Sequence, residues 1–348
     1  MHATPPTRTP DSPLAYRQTN LLVKGSTRPA SLSSTAPQPS NSLPVDSSPH
    51  PEIFVLGFVN CVSLQTAHSS MASARPFAAF TQFALPPGAP TFAELAEDVT
   101  FEHVGRGRAV AVLFRELGDS RVPIVRTTAK YNCPSRPFTR RVQALADAVV
   151  AAGGLRTPLN NAMAEIYDCD YRTMGFHSDM ALDLDAASHI AIYSVYDSPA
   201  GQPPPAAVRS LVIVDKATGA DRMLLLAPNT VTIFSVQDNS RFLHKIGLRA
   251  PPSPTADGVR WLGVTLRTSQ TIVQFDSEVE GPPTFVSDGA AAAGGAPPRQ
   301  LLSVASQTQA KELYALRQEE NREVEFAYPP GLWHTLSPSD VLSPWSVT

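Results

Sequence analysis

Met174-Gly175-Phe176-His177-Ser178-Asp179 carries a histidine and an aspartate two positions apart. Residues i and i+2 of an extended chain share a face. His177 and Asp179 therefore point the same way, and Ser178 points away with no role of its own. A second histidine stands in Ser240-Arg241-Phe242-Leu243-His244-Lys245, 65 residues after Asp179. Two imidazoles and a carboxylate on one face of an octahedral metal leave three positions open, the ligand set of non-haem Fe(II) sites that bind a co-substrate and oxygen. Each residue alone has an ordinary reading, because His-x-Asp arises by chance and a buried His is often simply hydrogen-bonded core.

The surrounding pattern supplies a scaffold. Short apolar runs read as strands at Arg108–Phe114, Val122–Tyr131, Ala162–Tyr167, His189–Tyr196, Ser210–Val214, Met223–Leu226, Thr230–Ser235, Phe242–Leu248 and Arg260–Arg267. Turn chemistry separates the later ones, as in Ala227-Pro228-Asn229. Many close-spaced strands predict a mainly β fold with flanking helices, built on a sandwich or a double-stranded β-helix (jelly-roll) core rather than a βαβ sheet. Helices are expected at Thr91–Asp98, with Thr91 and Glu94 as a capping box, and at Thr139–Ala152, stopped by Gly153-Gly154.

Composition bounds the remainder. The chain has 348 residues, 43% hydrophobic and 17% charged, with a net charge of −3, so nothing draws it as a whole to nucleic acid or acidic membranes. Its cysteines, Cys61, Cys133 and Cys169, give neither a zinc site nor a disulfide framework. No apolar run is long enough to span a bilayer. An intracellular, soluble protein is expected, monomeric by default, with no membrane partner. Residues 1–50 hold nine Pro and nine Ser and read as disordered. Their basic excess leaves organellar targeting open, and Ile53–Ser63 reads as a strand or part of a signal. The division expected is a tail at 1–50, a main domain at 75–275 with its jelly-roll core from about 160, an Ala/Gly/Pro linker at 289–298, and a C-terminal helix and tail at 299–348. Within the last, Gln307–Arg322 reads as a solvent-exposed helix.

The stretch Asn161–Leu184 (NAMAEIYDCDYRTMGFHSDMALDL) resembles the N-x-Y … G-x-H-x-D region of AlkB-like 2-oxoglutarate/Fe(II)-dependent dioxygenases. Pro228–His244 is similar to that family's gating strand and distal histidine, and Arg260–Arg267 to its closing R-x-x-x-T-F-R strand. The resemblance covers roughly residues 120 to 270. It implies Fe(II) held by His177, Asp179 and His244, with 2-oxoglutarate and O2 as co-substrates. Tyr167 stands where the family's tyrosine contacts 2-oxoglutarate. Arg267 is the cation for its far carboxylate and shares a face with Thr265; Arg260, on the opposite face by strict alternation, reaches the site only through a bulge, and otherwise Arg267 acts alone or with Lys245. Two positions depart from the family. Glu165 replaces an asparagine, and its charge repels the co-substrate unless it points out or pairs with an Arg. Trp261 replaces a second arginine.

The implied reaction is oxidative hydroxylation, or demethylation with loss of formaldehyde. Between Arg121 and Arg141 the chain has six cations, no acid, and Tyr131 and Phe138 interleaved. This suits single-stranded nucleic acid, with Arg126, Lys130, Tyr131 and Tyr193 as substrate-side candidates. It equally suits a solvated basic face with core aromatics. A protein or small-molecule hydroxylase, a non-catalytic jelly-roll binding module and a zinc hydrolase stand as alternatives.

Overall fold

The computed structural model describes residues 79–248, 258–276, 281–286 and 300–345. The expectations for the N-terminal tail, for Ile53–Ser63 and for the 289–298 linker lie outside these residues. The first strands are β1 (Thr81–Ala84), β2 (Glu102–Gly105), β3 (Arg108–Phe114), β4 (Arg121–Pro123), β5 (Arg136–Pro137), β6 (Asn161–Tyr167), β7 (His189–Asp197) and β8 (Arg209–Asp215). The later ones are β9 (Asp221–Leu225), β10 (Thr230–Ser235), β11 (Phe242–Leu248), β12 (Arg260–Arg267), β13 (Ile272–Gln274), β14 (Thr284–Val286), β15 (Ser303–Val304) and β16 (His334–Thr335). The helices are α1 (Phe92–Asp98), α2 (Arg140–Gly153), α3 (Val236–Arg241) and α4 (Gln307–Arg322).

A large sheet runs β1-β10-β7-β12-β6-β3-β2, with β5 beside β3, and a smaller antiparallel sheet runs β11-β8-β9. Residues 172–177 extend the smaller sheet along the free edge of β11 through isolated bridges, Thr173 to Gly247 and His177 to His244. The arrangement is mainly β and jelly-roll-like, as the strand pattern predicts.

The period of two sorts β12 between two cores. Leu262, Val264 and Leu266 face α1 and α2, packing with Leu95, Leu145 and Val149. All are almost completely buried, worth about 2 kcal/mol each. Trp261, Gly263, Thr265 and Arg267 face the smaller sheet. There Trp261 packs in a second core with Tyr167, Ile192, Ile213, Phe242 and Ile246. Trp261 lies flat over Gly263, where an added Cβ would sit 2.0 Å from the indole, so only glycine admits the ring.

The caps form as expected. Thr91 and Glu94 make the full capping box of α1, Thr139 caps α2, and Gly154 ends it in the left-handed conformation. Two expectations change. The strand expected at Val122–Tyr131 stops at Pro123: the Arg126 amide donates to Asp183 Oδ2 at 2.7 Å instead of to a neighbouring strand, and its guanidinium binds both carboxylate oxygens. The helix α4 is not wholly solvated, since Leu313, Arg317 and Glu320 are buried. Residues 300–345 pack on the loop after Asp179, with Leu313, Leu332 and Leu336 around Met180. Among the described residues no helix is long and apolar enough to cross a membrane.

Candidate metal centre

The backbone brings the two histidines together. The amide of His177 donates to the carbonyl of His244 at 3.0 Å, and the amide of His244 donates to His177 at 2.7 Å. Their rings lie 4.7 Å apart. Asp179 joins them, with its Oδ1 3.7 Å from His177 Nε2 and 3.5 Å from His244 Nε2. One ligand atom from each of the three lies within 4.8 Å of the others, so the group can hold a metal ion. His177 Nδ1 lies 3.0 Å from the Gly175 carbonyl. A proton there leaves the Nε2 lone pair facing the other ligands.

Arg267 comes from the end of β12 and donates to Asp179 Oδ2 from Nε at 2.8 Å and Nη2 at 2.6 Å. Burial alone would raise the Asp179 carboxyl, but the Arg267 charge and the hydrogen bond from His244 hold it well below the usual range. Burial and the neighbouring His244 bring His177 down to about 4, partly offset by Asp179. Both groups therefore stand in the deprotonated form that a metal requires.

The loop bearing Asp179 is gripped by side chains. Asn239 of α3 accepts from the Asp179 amide at 2.7 Å and donates to its carbonyl at 2.8 Å. Asn321 of α4 accepts from the Ser178 amide at 3.0 Å, and Arg317 donates to the Ser178 carbonyl. Glu320 accepts from the Ala181 amide at 2.8 Å. Ser178, given no role from sequence, donates its hydroxyl to the Phe242 carbonyl at 3.0 Å.

His177, Asp179 and His244 line a cavity of about 340 Å³. Its wall includes Thr265, Arg267, Arg126 and Tyr131, all named from sequence, and Arg108, Tyr171, Arg317 and Asn321, which were not. Glu165 is neutralised in that wall by Arg108, whose Nη2 approaches at 2.6 Å, and Arg108 also donates to the Tyr131 hydroxyl at 3.3 Å. Burial pushes the Tyr131 phenol up to about 12.

Four candidates lie elsewhere. Tyr167 is fully buried outside the lining, packed between Trp261 and Tyr171 with Arg209 above its ring; Tyr171 reaches the cavity instead. Arg260 is exposed, bound to Asp197 at 2.9 Å. The register of β12 with β7 runs unbroken from Arg260 to Leu266, so no bulge turns it inward. Tyr193 borders a separate cavity and donates to the Pro90 carbonyl at 2.8 Å. Lys130 is exposed and outside the lining.

Much of the basic stretch is engaged internally. Arg126 binds Asp183, Arg136 the Pro344 carbonyl, Arg121 the Leu117 carbonyl, and Arg141 Asp98. The carboxylates beside the site are occupied in turn, Asp179 by Arg267 and Asp183 by Arg126. A sequence signal existed for Asn239, five residues before His244. None existed for Arg108, Arg317 or Asn321, whose partners lie far away in the chain.

No protein-family model matches the sequence, and no curated protein matches it. Among solved structures, one titled "The structure of OsALKBH1" is similar at 11% identity with a TM-score of 0.34, covering 55% of this chain and 98% of that one.

Proposed function

We infer that the chain is an Fe(II)-dependent dioxygenase that uses 2-oxoglutarate and O2 to hydroxylate or oxidatively demethylate an organic substrate. The observation that carries this reading is the convergence of His177, Asp179 and His244 in the wall of an open cavity, with Arg267 buried beside them. When bound, the metal supplies the redox chemistry and activates oxygen. The chain's residues do the rest. His177 and His244 offer Nε2, and Asp179 offers Oδ1 because Arg267 holds its other oxygen. Arg267 Nη1 is buried without a partner, a donor suited to a carboxylate in the cavity. Arg108 cancels the Glu165 charge, which removes the repulsion expected for an anionic co-substrate. Tyr131, kept protonated by burial, offers a hydroxyl beside Arg108.

For the substrate, N-methylated nucleic acid is the first reading from sequence. The buried pairing of Arg126 with Asp183, and the bond of Arg136 to the Pro344 carbonyl, favour the second, a protein segment or small molecule, because the basic stretch presents fewer of its cations to a phosphate backbone than its composition offers.

The test is succinate formation from 2-oxoglutarate by anaerobically iron-loaded protein on exposure to O2, comparing wild type with His177→Ala and Arg267→Ala. Turnover in wild type alone is expected. Absence of both iron binding and turnover would return the chain to a binding module. Formaldehyde release from methylated oligonucleotides, set against hydroxylation of peptides and small molecules, decides the substrate class.

A further inference from the structure

The helix α4 stands outside the sheets, follows β12 in the chain and carries no metal ligand, yet it touches the ligand loop at successive points. Within five residues it sends Arg317 to the Ser178 carbonyl, Glu320 to the Ala181 amide and Asn321 to the Ser178 amide. These groups bracket Asp179. Arg317 and Glu320 pair with each other on the buried face of the helix, and Tyr328 donates to Glu320 at 2.6 Å. Met180 and Leu182 of the loop enter the same apolar cluster as Leu313 and Leu316 of the helix. At the far end of α4, Lys216 donates to the carbonyls of Glu320 at 2.6 Å and Glu323 at 3.0 Å, closing the last turn. Arg317 and Asn321 also line the cavity beside His177 and Asp179.

We propose that α4 is a positioning element of the metal centre, in which Arg317 and Asn321 set the placement of Asp179 by holding the Ser178 peptide groups, and form one wall of the site. This rests on the metal-site reading above. The physical basis is geometric. Residues 178–181 make no regular strand, so their backbone groups have no ladder to fix them. Side chains take the ladder's place, and half of the grip comes from one helix. A ligand loop released at Ser178 keeps its three ligands in sequence but not their mutual geometry, and outer partners of this kind commonly contribute about ten- to hundredfold to metal affinity.

The experiment uses the full chain and measures Mn(II) affinity by anaerobic calorimetry, with the visible spectrum of the Co(II) form as a signature of ligand geometry. The variants are Asn321→Ala, Arg317→Ala, Arg317→Lys, His177→Ala as the ligand-loss control, and Glu319→Ala on the exposed face of α4. Thermal unfolding of each metal-free variant accompanies the titration. The expected result is affinity about tenfold or more weaker in Asn321→Ala and Arg317→Ala. Their Co(II) spectra should be altered, Arg317→Lys should recover part of the affinity, and Glu319→Ala should match wild type. Should Arg317→Ala fail to fold, Asn321→Ala and Arg317→Lys carry the test, since Asn321 is half-buried and loses one hydrogen bond. Wild-type affinity in these variants, or an equal loss in Glu319→Ala, overturns the inference and leaves the metal site standing. If wild type binds no more tightly than His177→Ala, the metal reading itself fails and takes the role of α4 with it.

Discussion

Arg267 holds one oxygen of Asp179 and leaves the other free. Its Nε and Nη2 both reach Oδ2, at 2.8 and 2.6 Å, while Oδ1 faces the Nε2 atoms of His177 and His244. The guanidinium thereby decides which oxygen is offered to a cation, and it compensates the carboxylate charge while no cation is there.

Arg267→Met therefore leaves a buried, unpaired carboxylate. Metal-free protein should lose about 3 kcal/mol in urea unfolding. Saturating Mn(II) should restore part of the loss, because a cation at Oδ1 replaces the missing charge. Equal losses with and without Mn(II) would mean that Asp179 does not face the ion.

The pair of Glu165 with Arg108, on the strands next to Arg267 in the large sheet, sets the charge of the neighbouring part of the wall. Glu165→Gln removes the negative member and leaves Arg108 free for an anion. Binding of 2-oxoglutarate to the Mn(II)-loaded protein should tighten by about fivefold, close to 1 kcal/mol, and Arg108→Met should weaken it. Weaker binding in Glu165→Gln would show instead that the carboxylate is needed to hold Arg108 in place.

Gly263→Ala tests the packing of Trp261. The new methyl meets the indole at 2.0 Å, so the ring must leave its place over the strand. A loss of about 1–3 kcal/mol is expected, with a change in tryptophan emission. Trp261→Phe in the same chain should recover part of the stability; an unchanged melting temperature in Gly263→Ala would contradict the close approach.

Asp340 provides a stability test remote from the metal. Burial and the Asp183 charge, opposed by the hydrogen bond from Thr335, raise its carboxyl to about 6 from an ordinary 3.8. The folded chain thus binds more protons than the unfolded one between these values, and stability falls as pH rises through that window. Asp340→Asn should be more stable than wild type in urea unfolding by about 1–3 kcal/mol near pH 7.5, and no more stable near pH 4. A gain of the same size at both would rule out titration of Asp340 as the cause.

The strands, the caps of α1 and α2 and the pair of His177 with Asp179 were legible because each depends on neighbours in sequence: alternation along Trp261–Arg267, Thr91 with Glu94, and two residues on one face of an extended segment. Sequence lost its grip where a partner lies far along the chain. Val122–Tyr131 has the composition of a strand, but it stops at Pro123, and the Arg126 amide goes to Asp183, 57 residues on, in place of a ladder partner. Glu165 stood as an objection to an anion site because nothing near it announces Arg108, 57 residues earlier. Arg260 needed a bulge to enter the site, because alternation sets it on the face opposite Arg267, and the unbroken register of β12 leaves it there. The helix α4 has a charged sequence suited to solvent, and its buried Arg317 and Glu320 are explained only by the loop they hold.

The amide exchange between His177 and His244 has a consequence for how an ion would be captured. Joining residues so distant in the chain carries an entropic cost, and here the sheet edge meets it during folding. Metal and fold are then separable events, unlike small zinc modules in which the ion itself drives folding. Chelation should empty such a centre and leave its frame standing, so that an ion could be withdrawn and replaced repeatedly without the chain having to refold.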